Sequence, residues 1–124
     1  MLGQSQVIAF IPTQHRNQAR EFYQNVLGLH LLSDEPVALV FDAHGIMLRI
    51  TEVEEFQPAS YTVLGWQVRN IKQTIHELGS KGVSFLRFPG MVQDEQGVWN
   101  SPGGAKIAWF KDPDGNTLSL TQFS

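Results

Sequence analysis

The sequence predicts an α+β fold built from two βαβββ modules in tandem. Three observations carry that expectation: a strand–helix–three-strand order written twice, strands that alternate apolar and mixed residues, and an amphipathic helix in each copy. The copies start at Val7 and Tyr61, a repeat of about 54 residues that marks an internal duplication. The 124 residues suit a single domain, 1–124, with modules over about 5–53 and about 60–124.

Val7 to Thr13 is a short apolar and β-branched run, as a buried strand requires. Thr13 is placed to cap the helix that follows, where Ala19, Phe22, Tyr23, Val26 and Leu27 recur at three- and four-residue spacing. Gly28 ends that helix, since glycine tolerates the left-handed C-terminal cap best. Strands are expected at Leu29–Ser33, Val37–Asp42 and Ile46–Glu52, with turns at Asp34-Glu35-Pro36 and Ala43-His44-Gly45. The polar stretch 52–60, which carries Pro58, reads as a linker.

In the second copy Tyr61–Val68 is a strand. Asn70, with Gln73 three residues on, forms a capping-box pattern. Ile71, Ile75 and Leu78 give the apolar stripe of a helix that ends near Gly82. Val83–Phe88, Lys106–Lys111 and Thr117–Gln122 are the remaining strands. The turn between the last two is Asp112-Pro113-Asp114-Gly115-Asn116, where proline presets one dihedral and glycine permits a positive one. Pro89–Gly104 has no counterpart in the first copy. This insertion of about fifteen residues suits either a binding loop or a plain excursion with a short extra strand near Val98-Trp99.

Composition narrows the function classes. Hydrophobic residues make up 42% and charged residues 17%, the balance of a chain that buries a core. A net charge of −3 offers phosphates no basic footprint, so no nucleic-acid partner is expected. No segment approaches the ~20 apolar residues of a spanning helix, and Met1–Gln6 lacks the features of a signal peptide. The absence of cysteine removes disulfides, thiolate metal sites and a thiol nucleophile, and a cytoplasmic location is the default expectation.

Three strands alternate alike. Ile46, Leu48 and Ile50 oppose Met47, Arg49 and Thr51; Leu64, Trp66 and Val68 oppose Val63, Gly65 and Gln67; Leu118 and Leu120 oppose Thr117, Ser119 and Thr121. One face therefore packs on the helices. The other mixes small, polar and apolar residues with one arginine, which suits a partly enclosed surface better than a solvated one.

Two local motifs extend the argument: Ala19-Arg20-Glu21-Phe22-Tyr23 with Val26-Leu27-Gly28, and Ala108-Trp109-Phe110-Lys111-Asp112-Pro113-Asp114-Gly115-Asn116. Within a duplicated βαβββ frame they resemble the vicinal oxygen chelate superfamily, which includes glyoxalases, bleomycin-resistance proteins, fosfomycin-resistance enzymes and extradiol dioxygenases. The resemblance covers essentially the whole chain. It implies one cupped, eight-stranded mixed sheet with helices on the convex side and a ligand held in the cup. It also implies four metal-ligand positions, which fall on Ile8, Arg49, Val63 and Ser119. Two of these lack a donor atom and Arg49 is a permanent cation, so no metal and no cofactor are expected. The four histidines, His15, His30, His44 and His76, share no ligand spacing and read as surface or capping residues.

The candidate ligand-binding residues are therefore Arg49, Ile8, Phe10, Val63, Ser119 and Trp99. Arg49 suits a carboxylate or phosphate; its alternatives are an ion pair with an acid such as Asp94 or Glu95, or simple exposure near the strand end. Phe10 and Trp99 are either pocket walls or core. Asp94 and Glu95 read as solvated loop acids, and Glu52, Glu54 and Glu55 as a solvated charge run. No catalytic residue is identifiable. Two classes stay open: a metal-free, bleomycin-resistance-like binder of a small, possibly anionic, organic ligand, and a metal-independent isomerase or lyase acting on a small anionic substrate. The resemblance also implies a homodimer.

Overall fold

The computed structural model describes residues 1–124, which divide into two compact units, Met1–Gln57 and Pro58–Ser124. In the first unit the order is β1 (Ile8–Thr13), α1 (Arg16–Glu21), β2 (His30–Glu35), β3 (Ala38–Ala43) and β4 (Ile46–Glu52). The sheet order is β1-β4-β3-β2, with β1 parallel to β4 and the other pairs antiparallel. The second unit repeats it: β5 (Leu64–Gln67), α2 (Ile71–Ser80), β6 (Trp99–Asn100), β7 (Lys106–Lys111) and β8 (Thr117–Gln122), ordered β5-β8-β7-β6. The fold is α+β, and its eight strands hydrogen-bond as two mixed sheets of four.

The alternation decides which face of each sheet is core. In the first unit Ile11, Leu39, Phe41, Leu48 and Ile50 are all buried, and their register pairs put them on one face. The helical segment covers that face: Ala19 and Tyr23 are buried, and the Tyr23 and Phe41 rings lie 6.1 Å apart. Each buried side chain of this size contributes roughly 1.5–3 kcal/mol. In the second unit Ala108, Phe110, Leu118 and Leu120 pack with Ile71, Ile75 and Leu78 of α2. Trp66 stacks on Phe110 at 6.5 Å and so belongs to this core face.

Several local expectations change. Thr13 does not cap α1; its Oγ1 accepts a hydrogen bond from the His15 amide at 3.0 Å, and His15 is the N-cap without a side-chain bond. The helix passes into a π-helical segment, Phe22–Val26, and ends at Gly28 with φ 76°. Asn70 caps α2 by accepting from the Gln73 amide at 3.1 Å. The reciprocal half of the capping box is not made, because the Gln73 side chain turns to Glu77. Strand β2 runs through Glu35, so the β2–β3 connection shrinks to Pro36-Val37 rather than Asp34-Glu35-Pro36. The β3–β4 turn is His44-Gly45, both at positive φ (52° and 90°), the two-residue geometry that matches strand twist.

Val83–Phe88 is not a strand. Only Phe85 bridges to Phe110, and the Leu86 amide donates to the Trp109 carbonyl at 2.8 Å. The rest of that edge of β7 belongs to the short strand from the inserted segment, in which Trp99 pairs with Ile107 and Asn100 with Lys106. Two segments share one strand's free edge, and neither can form a full ladder.

Candidate ligand site

Away from the helices, each unit presents a sheet face assembled from cross-strand rows. In the first, one row runs Phe10–Arg49–Val40–Ser33 and the next runs Pro12–Thr51–Ala38–Glu35. Ile8 lies two residues before Phe10 on the same face. Both are open to solvent, Phe10 at 62% and Ile8 at 46%. Arg49 reaches over β3 to β2, where its Nη2 lies 3.0 Å from Glu35 Oε1. Glu35 also accepts from Ser33 Oγ at 3.0 Å. The Arg49 hydrogen bond, then the Ser33 one, holds the Glu35 carboxyl below its usual range. Thr51 Oγ1 is buried on this face and has no hydrogen-bond partner.

Arg49 therefore does have an acidic partner, but it is Glu35 and not Asp94 or Glu95. Asp94 is exposed on its own loop, where Oδ1 accepts from the Gln96 and Val98 amides, each at 2.9 Å. Gln93 organises the same segment. Its Nε2 donates to the carbonyls of Leu86 (3.0 Å) and Gly97 (2.8 Å), and its Oε1 accepts from the Phe88 amide (2.8 Å). Asp94 is thus an exposed loop acid, as expected, and it also shapes the inserted loop.

On the second unit's open face one row is Gly65–Ser119–Trp109, and the next is Gln67–Thr121–Ile107–Trp99. The Trp99 and Trp109 ring centres are 6.3 Å apart, and Phe88 meets Trp109 edge to face at 5.4 Å. The Trp109 indole N–H donates to Thr62 Oγ1 at 3.1 Å, which fixes the ring's orientation. Ser119 is 6% exposed and faces Gly65, which leaves room for it. Val63 precedes β5, its amide donating to the Thr117 carbonyl at 3.0 Å. The structure thus groups Ile8, Phe10 and Arg49 on one sheet face, and Ser119 and Trp99 on another. The sequence reading missed Glu35, Phe88 and Trp109.

The donor set at Ile8, Arg49, Val63 and Ser119 does not fit a divalent ion. It offers two hydrocarbons, one hydroxyl and a guanidinium already held by a carboxylate. No three His, Asp or Glu side chains come together elsewhere in a grouping that could hold a metal. No helix is long and apolar enough to cross a membrane.

Comparison with known proteins adds the lineage. The family model for the Glyoxalase/Bleomycin resistance protein/Dioxygenase superfamily matches residues 5–120. Comparison with the curated proteins finds no match. Among solved structures, TnmS3, an antibiotic binding protein from a Streptomyces species, is similar at 25% identity and TM-score 0.72, with 98% of this chain and 97% of that one covered. A lactoylglutathione lyase from Agrobacterium tumefaciens is similar at 14% identity and TM-score 0.73, with 95% and 93% covered. A glyoxalase/bleomycin resistance protein/dioxygenase from Alicyclobacillus acidocaldarius gives 18% identity and TM-score 0.71, with 97% and 92% covered.

Proposed function

The chain belongs to the Glyoxalase/Bleomycin resistance protein/Dioxygenase superfamily, and from that premise we propose that it is a metal-free protein that binds a small organic molecule through a flat apolar portion. The observation that carries this reading is the aromatic group of Phe88, Trp99 and Trp109 on an open sheet face, with Trp109 locked by Thr62. Locked aromatic rings offer large contact area at little entropic cost. The antibiotic-binding role in the name of the TnmS3 relative points the same way. Binding is favoured over turnover because the acid beside Arg49 is already engaged, Glu35 accepting from Arg49 through one oxygen and from Ser33 through the other.

The test is a titration of the ¹⁵N-labelled chain with naphthalene, followed on the indole N–H signals. Trp99 and Trp109 are expected to shift, while Trp66, stacked on Phe110 in the core, stays still. Elemental analysis of protein purified without chelators should find far less than one metal equivalent per chain. Binding that needs a stoichiometric metal, or shifts confined to Trp66, would overturn the reading.

A further inference from the structure

The polar end of the first unit's open face has a chemistry of its own. Arg49 and Glu35 together carry no net charge, and the pair keeps 26% and 42% of its side-chain surface exposed, so a ligand can reach both partners. Arg49 spends Nη2 on Glu35 and has guanidinium N–H groups left to donate. Glu35 accepts from Arg49 through one oxygen and from Ser33 through the other, and each carboxylate oxygen has a further lone pair. Thr51 Oγ1, two residues from Arg49 and in the cross-strand row of Glu35, is buried without a partner. An unsatisfied buried hydroxyl in a native fold calls for an explanation. Phe10, the register partner of Arg49, offers an exposed ring beside the pair.

A carboxylate or phosphate approaching Arg49 would meet the Glu35 carboxylate already seated there. It would have to displace that group or bear its repulsion. A neutral planar group that both donates and accepts faces no such conflict. It can accept from the guanidinium, donate to Glu35 and lay an attached ring on Phe10. Building on the small-molecule reading above, we propose that Arg49 and Glu35 form a subsite for a neutral donor–acceptor group such as a carboxamide or lactam, and that Glu35 selects against carboxylates. Arg49 alone would suit an anion; with Glu35 seated beside it, the neutral group is the better match.

The discriminating pair of probes is naphthalene-2-carboxamide and 2-naphthoate, which share a ring system and differ in charge. Each is titrated at neutral pH into the ¹⁵N-labelled full chain. The carboxamide should shift the amides around Phe10 and Arg49 and bind at least about ten-fold tighter than the naphthoate, the discrimination expected of mismatched charge. Glu35→Gln should erase or invert that preference. Arg49→Lys should reduce it, because an ammonium cannot serve two acceptors in the plane of a fork. Equal or tighter naphthoate binding by the wild type, or a preference unchanged in both variants, would overturn the proposal. Indole shifts at Trp99 and Trp109 without any response near Phe10 and Arg49 would sink this subsite alone. Silence at both would sink the ligand-binding reading with it.

Discussion

Arg49 on β4 and Glu35 on β2 close an ion pair over the intervening β3, Nη2 to Oε1 at 3.0 Å, with Ala38 and Val40 beneath it in the same two rows. The pair sets a pH dependence. Because the folded-state pKa of Glu35 lies below its ordinary 4.5, its contribution to stability is present above that value and is lost as pH falls through the folded value. Carbon-detected titration of the side-chain carboxyls should put Glu35 below 4.5 in the wild type and nearer to it in Arg49→Ala. Arg49→Ala should lower thermal stability only slightly at neutral pH, because both partners are part-exposed and water screens them. An unshifted Glu35 in the wild type would contradict the pairing.

Gly65 and Ser119 make the tightest constraint on the second unit's open face. A Cβ at position 65 would stand 2.7 Å from Ser119 Oγ and 3.4 Å from its carbonyl oxygen. Gly65→Ala should therefore destabilise by about 1 kcal/mol or less, the low end of overpacking, because the Ser119 hydroxyl can rotate away. Ser119→Ala in the same chain removes the close oxygen and should restore part of that loss. Urea unfolding of the two single variants and the double variant measures the coupling.

Gln93 should matter more than its place in a loop suggests. Gln93→Ala strips partners from the Leu86 and Gly97 carbonyls and from the Phe88 amide, all part of the segment that carries Phe88 and leads to Trp99. A loss of about 1–3 kcal/mol is expected where those groups stay dry. Amide hydrogen exchange at Phe88 should accelerate in the variant. An unchanged exchange rate would mean that the loop holds its form by other contacts.

Assembly is tested separately. Ile8 and Met47, register partners on β1 and β4, leave apolar surface uncovered, more readily explained by a two-fold partner than by water. Light scattering at micromolar concentration is expected to give twice the 13.9 kDa chain mass. A single-chain mass would refute the dimer.

The sequence by itself determined the repeated βαβββ order, the division of each sheet into core and open faces, and strands β4, β7 and β8 to the residue. These are local properties: period-two alternation, glycine at helix and hairpin ends, and a proline–glycine turn between β7 and β8. It also determined that four positions carry no metal-binding set, since donor atoms belong to residue types. Trp109 was within reach, because Ile107, Trp109 and Lys111 alternate with Ala108 and Phe110.

Tertiary structure decided the rest. Glu35 sits in Asp34-Glu35-Pro36, which reads locally as a turn. Only the pairing of Glu35 with Ala38 extends β2 and aims its carboxylate at Arg49. Val83–Phe88 has strand composition, but a strand needs a free neighbour, and the edge of β7 is divided with Trp99–Asn100. Register and edge availability are relations between distant segments. No local pattern encodes them, and the ion pair and the aromatic group on the open faces both depend on them.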